Sequence, residues 1–365
     1  MRNRGFSTKP HRGTFVDVKT LAAALLSKSY SLASLCRELK IENSKQETNE
    51  HGGPLSVEYI EYARADVQAT WECYDALYAK FQEYGLSVPI SSILSEASIG
   101  KATLSEMQVK PLLKCQRNLP RSDFGTIMAT YYGGRAEIRI RKQITEVILT
   151  DFKSMYPTVN ALMDLWRFII ADGYTQYDST HEIQALLDDI SLADLQNRET
   201  WKSLHTLVKL KPADDVLPLR TQYSKPFDKT KDNLTIGLNH VSSELPMWYA
   251  LSDVIASKLQ TGRTPKIEKA ITYLPGPIQE GLKPYNLFNN PNYRIDPCQD
   301  DLFTKLINLR DLTPKSKPGN KALKILANST CYGILVEVLR DNAPKKEAIE
   351  VYGADGFCAH EQSEA

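Results

Sequence analysis

The most constraining feature of this sequence is the run at residues 147–158, Val-Ile-Leu-Thr-Asp-Phe-Lys-Ser-Met-Tyr-Pro-Thr. Its first three residues are apolar and partly β-branched, which predicts a short buried strand. Asp151 follows that strand, and Pro157 suits the first turn of a helix. A carboxylate at the end of a strand, beside backbone carbonyls, offers the hard oxygen ligands that Mg²⁺ prefers. The alternative is that Asp151 is only a helix cap.

The segment from Asp151 onward resembles motif A of the family B DNA polymerases. That motif runs, in order, Asp, any two residues, Ser, an apolar residue, Tyr, Pro, and then Ser or Thr. The resemblance implies that Asp151 is catalytic and binds two Mg²⁺ ions, with a further metal ligand from the Phe152 carbonyl. It also implies that Tyr156 binds the nucleotide by packing under its sugar. A ring there excludes the 2′-hydroxyl, the atom that distinguishes RNA from DNA building blocks.

A second signal lies in residues 301–334, where the pattern predicts two helices packed as an antiparallel hairpin. Lys324, Asn328 and Tyr332 recur at intervals of four and share a helix face. Taken alone, they form a mixed solvent-facing stripe. The pattern Lys-x-x-x-Asn-Ser, followed by Tyr-Gly, resembles motif B of the family B fingers. This implies nucleotide binding by all three residues and by Arg310 on the facing helix. Two residues, rather than the usual one, separate Ser329 from Tyr332, and this extra residue turns the Tyr332 side chain by about 100° around the helix.

A long helix is predicted over residues 57–84 and ends at Gly85. Apolar residues recur along it at intervals of three and four: Ile60, Ala63, Val67, Trp71, Tyr74, Leu77 and Phe81. Tyr62 and Asp66 share another face, which by itself indicates a solvated Asp beside a half-buried Tyr. The pair resembles the third motif of the 3′–5′ exonuclease domain of proofreading polymerases, where the Asp binds a metal and the Tyr orients water. The two earlier exonuclease motifs are not found in residues 1–55, so exonuclease activity is not expected from this chain alone.

Between these signals lies Tyr-Tyr-Gly-Gly-Arg, residues 131–135. It resembles the Tyr-x-Gly-Gly motif that contacts the template strand in family B enzymes. The resemblance implies DNA binding by Tyr131, Gly133, Gly134 and Arg135. Paired glycines permit the backbone to approach a phosphate closely, and the Tyr and Arg side chains add polar contacts. The alternative is an ordinary tight turn into a strand.

The composition of the chain excludes some classes of function but does not identify one. The 365 residues include 45 Lys plus Arg against 44 Asp plus Glu, so any phosphate-binding surface is a local patch. The six cysteines contain no Cys-x-x-Cys pair, which argues against zinc and indicates a reducing compartment. No apolar run has transmembrane length. We therefore expect no membrane partner and a cytoplasmic location, associated with a nucleoid or with viral replication.

The fold expected from the resemblance is a multidomain α+β or α/β chain. It combines a partial ribonuclease H-like exonuclease domain, a partial polymerase palm and helical-hairpin fingers. The expected boundaries are 1–90 for the exonuclease-like part, 91–135 for a connecting segment, 136–170 for the palm with motif A, 171–260 for a palm insertion, 261–334 for the fingers and 335–365 for the return to the palm.

The implied function is template-directed DNA synthesis, in which a primer 3′-hydroxyl attacks a dNTP. The implied partners are primer-template DNA, dNTPs and an unidentified processivity factor. A second palm motif with another metal-binding Asp is missing, since Asp355 lies in a poor match too close to motif B. We therefore expect an internal fragment with an incomplete site. The alternative is a non-catalytic nucleic-acid- and nucleotide-binding module derived from a polymerase. Tyr156 and the pattern of Lys324 with Asn328 disfavour an RNA polymerase or a reverse transcriptase.

Overall fold

The structure is a computed structural model that describes residues 14–48, 51–132, 134, 140–222 and 234–331. These residues form a mixed α/β structure with a small antiparallel sheet, as expected from the sequence. They divide into two compact units. The first unit contains residues 14–109 with 281–331, and the second unit contains residues 110–280.

The described helices are, in chain order, α1 (Val18–Leu26), α2 (Leu32–Leu39), α3 (Val57–Glu83), α4 (Glu96–Glu106), α5 (Leu112–Cys115), α6 (Arg121–Ala129), α7 (Met155–Leu162), α8 (Trp166–Ile169), α9 (Thr180–Asp189), α10 (Leu192–Gln196), α11 (Arg198–Trp201), α12 (Leu251–Thr261), α13 (Leu302–Leu312) and α14 (Pro318–Ser329). The described strands are β1 (Tyr174–Asp178), β2 (Thr206–Leu210), β3 (Ala213–Gln222), β4 (Leu234–Ser242), β5 (Met247–Ala250), β6 (Ile267–Pro275), β7 (Tyr285–Asn286) and β8 (Arg294–Ile295). None of these helices is long and apolar enough to cross a membrane.

Helix α3 is the longest element of the first unit, and its predicted ends are confirmed. The Ser56 hydroxyl accepts a hydrogen bond from the backbone N–H of Tyr59 at 3.0 Å, which caps the first turn. Beyond the last turn, Gly85 adopts φ +69°, a conformation that glycine reaches without steric cost. The Tyr285 hydroxyl donates to the carbonyls of Tyr84 and Gly85, each at 3.0 Å, and so satisfies carbonyls at this helix end.

Two different faces of α3 are apolar, and the structure buries only one of them. The buried face packs on α1 and α2 and contains Ala69, Cys73, Leu77 and Phe81. Much of the sequence-derived stripe lies in solvent instead: Ile60 is 49% exposed, Val67 71% and Trp71 60%. The hydrophobic period identified the helix correctly but did not identify the buried face, because both faces carry apolar residues at helical spacing.

The predicted helical hairpin is confirmed by α13 and α14, which pack on each other. The Asn320 side-chain amide donates to the carbonyls of Arg310 at 3.0 Å and of Thr313 at 2.7 Å, which closes the connecting loop. Helix α14 also packs on α4, and the two backbones meet at Gly100. A Cβ added to Gly100 would lie 2.4 Å from the carbonyl carbon of Ser329, so only glycine permits this approach.

The second unit is organised around a four-stranded sheet with the order β1-β6-β2-β5, and all of its neighbours are antiparallel. Burial alternates along β2, where Thr206, Val208 and Leu210 are buried, as one covered sheet face requires. The core of this unit includes residues of α9, β2, β5 and α12, among them Leu187, Val208, Tyr249, Leu251 and Val254, each 0% exposed.

The predicted strand at the start of the motif A segment is wrong for this structure. Val147, Ile148 and Leu149 are 81%, 92% and 95% exposed, and no described strand pairs with them. An apolar, β-branched run becomes a buried strand only where a neighbouring strand supplies hydrogen bonds and a core covers its faces. The sequence pattern of residues 147–149 could not show that the described residues supply neither a neighbouring strand nor a covering core.

His205 links the sheet to the end of α7. Its Nε2 contacts the carbonyl of Met163, and its ring lies edge-on to Phe168 with the ring centroids 4.7 Å apart. Because burial disfavours the charged form, the pKa of His205 is lowered. The sequence offered no signal for this role, since the histidines are scattered.

We expect Gly100→Ala to lower the free energy of unfolding by about 1–3 kcal/mol, because α4 and α14 must move apart. Denaturant unfolding followed by circular dichroism measures the change. Gly319→Ala is the matched control, since its Cβ would meet nothing closer than 3.9 Å and alanine favours a helix. Equal losses in both variants would contradict the close-contact interpretation.

A pH dependence follows from His205. Below a pH of about 6.5 the unfolded chain protonates this histidine more readily than the folded chain does, so stability falls as the pH falls. We expect His205→Gln to show a smaller loss of unfolding free energy than the natural protein between pH 7.5 and 5.5. Between pH 7.5 and 8.5 the two proteins should respond alike. Parallel curves over the acid range would argue against a role for His205.

Candidate functional site

The motif A segment leads into α7 through a tight turn in the second unit. Ser154 adopts φ +47° immediately before the helix. The backbone N–H of Thr158 donates to the carbonyl of Ser154 at 2.9 Å, and its hydroxyl donates to the carbonyl of Lys153 at 3.0 Å. Pro157 is buried, which anchors the first turn. These contacts fix the backbone conformation around Ser154, where the motif A segment enters α7.

The side chains that the sequence singled out in this segment are accessible. Asp151 is exposed, Phe152 is 78% exposed and Tyr156 is 50% exposed. The accessible carboxylate and the neighbouring backbone carbonyls are hard oxygen donors, which suit Mg²⁺. Because Tyr156 is half-exposed, a ligand can reach this residue.

The oxygen atoms of Asp151 and of the Phe152 carbonyl suit a metal ion that binds together with the phosphates of a substrate. Within the described part of the chain, no three His, Cys, Asp or Glu side chains cluster closely enough to hold a metal ion. Mg²⁺ commonly uses one or two protein carboxylates and completes its shell with water and substrate phosphates. Asp151 and the Phe152 carbonyl fit that mode, whereas a preformed cage made only of protein ligands is not found among the described residues.

The hairpin residues lie in the first unit. Lys324 is exposed and Asn328 is partly exposed, on a narrow open side of α14 flanked by buried Leu323 and Ala327. Arg310 is partly buried on α13. The predicted shared face is confirmed for Lys324 and Asn328. Tyr332 lies outside the described residues.

The Tyr-x-Gly-Gly segment is described only in part. Tyr131 is 64% exposed, while the next residue, Tyr132, is buried and stacks on Tyr249 with ring centroids 5.8 Å apart. Tyr132 therefore anchors the segment and leaves the Tyr131 ring at the surface. Gly134 stands in open space, where an added Cβ would meet nothing within 4 Å. Gly133 and Arg135 lie outside the described residues.

The structure brings Tyr62 and Asp66 together through a residue that sequence reasoning missed. The Lys45 ammonium donates to the Tyr62 hydroxyl and to Asp66 Oδ2, each at 2.7 Å. The other carboxylate oxygen, Asp66 Oδ1, is buried and has no hydrogen-bond partner. Lys45 comes from a polar loop without periodicity, so no local pattern could indicate this contact.

The electrostatics of this cluster favour a charged lysine. The hydrogen bonds that Lys45 donates to Asp66 and Tyr62 raise its pKa. Its ammonium also lies 4.9 Å from the centroid of the Tyr62 ring, close enough for a cation–π contact. Tyr62 in turn stacks on Tyr59 at 5.9 Å. Lys45 therefore supplies the positive charge beside Asp66 in this structure.

The comparisons with known proteins agree with the motifs in one part of the chain. Residues 29–165 match the family model described as DNA polymerase type B, organellar and viral, a little over a third of the chain. The matched range includes Asp66, Asp151 and Tyr156, whereas α13 and α14 lie outside it. No curated protein and no solved structure gives a significant match. Residues 29–165 are thus similar to the organellar and viral type B DNA polymerases, which is consistent with a fragment of a family B polymerase.

Proposed function

We propose that this chain carries part of the nucleotide-transfer site of a family B DNA polymerase, which extends a primer on a DNA template with dNTPs. The observation that carries the proposal is the exposed carboxylate of Asp151 at the entry of α7, inside the segment that matches the polymerase family. Bound Mg²⁺ would activate the primer hydroxyl and neutralise charge on the leaving phosphate.

The residues around α7 would position the two reactants. Asp151 and the Phe152 carbonyl would hold the metal ions against the triphosphate. The rigid ring of Tyr156 would lie under the sugar of the incoming nucleotide. Its exposed surface supports this assignment, since a ring in that space would clash with a 2′-hydroxyl and so favour dNTPs over ribonucleotides.

Residues of α13 and α14 would bind the triphosphate. The exposed ammonium of Lys324 is available to phosphate oxygens, and Asn328 lies one turn further along the same side. Arg310 would add a bidentate contact. By the resemblance to motif B, Tyr332 would pack near the nascent base pair.

DNA contacts are proposed for the Tyr-x-Gly-Gly segment. The exposed ring of Tyr131 supports stacking or hydrogen bonding to the template, and the open space at Gly134 leaves room for a backbone phosphate. Gly133 and Arg135 would share this role. Tyr62 and Asp66 remain proposed exonuclease residues, with Lys45 as the charge beside Asp66.

A second candidate function is binding of nucleic acid and nucleotide without catalysis. It is favoured by the exposed side chains of Tyr131 and Lys324, which can contact DNA and phosphate whether or not a metal site is complete. Such a module would retain the contacts of Tyr131, Lys324 and Asn328 and would bind DNA with a strong salt dependence.

Primer extension tests the first proposal. We expect Asp151→Asn to lower extension with Mg²⁺ and dNTPs at least about 100-fold, because charge stabilisation in the transition state is lost. Asp189→Asn, which removes an exposed carboxylate at the end of α9, is the matched control and should retain activity. Equal activity in both variants would refute a catalytic Asp151. If the natural chain binds primer-template in a salt-dependent way but extends nothing, the binding module is supported instead.

Nucleotide binding tests α14 without requiring catalysis. With Mg²⁺ and primer-template present, we expect Lys324→Ala to raise the Kd of a fluorescently labelled dNTP about tenfold, as loss of a charged hydrogen bond does. Lys321→Ala removes the same charge from an exposed position of the same helix, and its effect should stay within about twofold. Equal effects of the two variants would indicate a general electrostatic field rather than a contact by Lys324.

A further inference from the structure

Two buried thiols meet where α2 packs on α3 in the first unit. The sulfur atoms of Cys36 and Cys73 are 3.8 Å apart, and the two residues are 2% and 0% exposed. They lie 37 residues apart in the chain, on different helices, so the packing of α2 on α3 brings them together. The pair is therefore a product of the tertiary structure, since the spacing of the cysteines in the sequence does not indicate it.

The geometry of the pair suits a covalent bond between the two sulfur atoms. A disulfide requires an S–S distance of about 2.05 Å. Because the sulfur atoms are already in contact, rotation about the two Cα–Cβ bonds and a small adjustment of α2 supply the remaining movement. Two groups held in contact also react far faster than the same groups free in solution. The folded chain therefore favours a bond between these two thiols over bonds to other cysteines.

Local opening of α2 gives an oxidant access to the pair. This helix has eight residues, and an isolated helix shorter than about 12 residues is marginal in water. Cys36 lies in its last turn, where helices open most readily. By contrast, Cys73 lies inside the 27-residue α3, and burial raises its pKa to about 12. Cys36 is therefore the thiol that meets the oxidant first.

A peroxide can oxidise this pair by two electrons. The Cys36 thiolate attacks one oxygen of hydrogen peroxide, the O–O bond breaks, and the released hydroxide takes up the former thiol proton and leaves as water. Cys36 is then a sulfenic acid. When α2 closes again, the Cys73 sulfur attacks the Cys36 sulfur, the S–OH bond breaks, and a second water leaves with the Cys73 proton. Two thiols and one peroxide thus give one disulfide and two waters.

The bond would also secure the segment that follows α2. After Cys36, the chain contacts α3 at two further places. The backbone N–H of Asn43 donates to the Glu72 carboxylate at 3.3 Å, and the Lys45 ammonium contacts Asp66 at 2.7 Å. These are single polar contacts at or near the surface, which contribute little to stability by themselves. A covalent link at the start of the segment would hold it against α3.

We propose that Cys36 and Cys73 form a reversible oxidation site, in which a peroxide converts the two thiols into a disulfide that locks α2 onto α3. In a reducing compartment such a bond lasts only while the oxidant is present, and thiol exchange reverses it. A disulfide stabilises a fold mainly by restricting the unfolded chain. The oxidised chain should therefore resist unfolding more than the reduced chain.

Peptide mapping tests the proposal on the full chain. The folded, reduced chain is treated with excess hydrogen peroxide, its remaining thiols are blocked with iodoacetamide, and it is digested with trypsin without reductant. Mass spectrometry should find residues 29–37 joined to residues 65–80, two hydrogen atoms lighter than the separate peptides. The joined peptide should disappear after treatment with dithiothreitol. Cys298→Ser removes an exposed thiol and is the matched control, which should still form the link.

Two results of the mapping would overturn the proposal. The first is oxidation of Cys298 in a chain that forms no link between Cys36 and Cys73, since the peroxide would then have reacted and the pair would not have. The second is a link that forms as fast in urea as in the folded chain, because the packing of α2 on α3 would then contribute nothing.

Thermal unfolding tests whether the bond locks the two helices. Oxidation should raise the Tm of the natural chain by about 5 °C. Cys73→Ala cannot form the bond, so the same treatment should leave its Tm unchanged or lower. This variant also reports any effect of peroxide on other side chains. An unchanged Tm in a fully linked natural chain, or an equal rise in Cys73→Ala, would contradict the lock.

Discussion

The close approach of α4 and α14 at Gly100 is the constraint on which the arrangement of the candidate nucleotide-binding helix depends. Because the two backbones nearly touch there, α14 must bury the side that carries Leu323, Leu326 and Ala327. Lys324 and Asn328 are then left on the open side. The same contact therefore stabilises the unit and determines which polar groups of α14 remain available to a ligand.

The motif A segment is held in a different way, by the turn at its centre. Ser154 takes a left-handed conformation, Thr158 hydrogen bonds back to the turn and Pro157 is buried. These interactions hold the start of α7, while the apolar residues that precede Asp151 remain in solvent. His205 contacts the far end of the same helix. The local geometry of the segment thus comes from its turn and its helix, not from the strand that the sequence pattern predicts.

Lys45 shows how a charged site can form without any sequence signal. Its ammonium contacts both Tyr62 and Asp66, although it lies in a polar loop well before α3. Tyr62 and Asp66 could be recognised because their spacing places them on one helix face. The residue that compensates the charge of Asp66 could be identified only after the loop had folded against that face. Its presence makes Asp66 an ion-paired carboxylate in this structure.

The sequence by itself determined the limits of α3, the helical hairpin of α13 and α14, and the shared face of Lys324 and Asn328. Local hydrogen bonding, capping and helical periodicity depend on near neighbours in the chain, so a local pattern is sufficient for them. The sequence motifs also carried the polymerase resemblance. The sequence could not determine which apolar face of α3 is buried, since both faces carry the same signal. Only the tertiary structure decided that question, along with the exposure of residues 147–149 and the contact of Lys45 with Asp66. Burial and charge pairing depend on residues that are distant in the chain, and a local pattern contains no information about them.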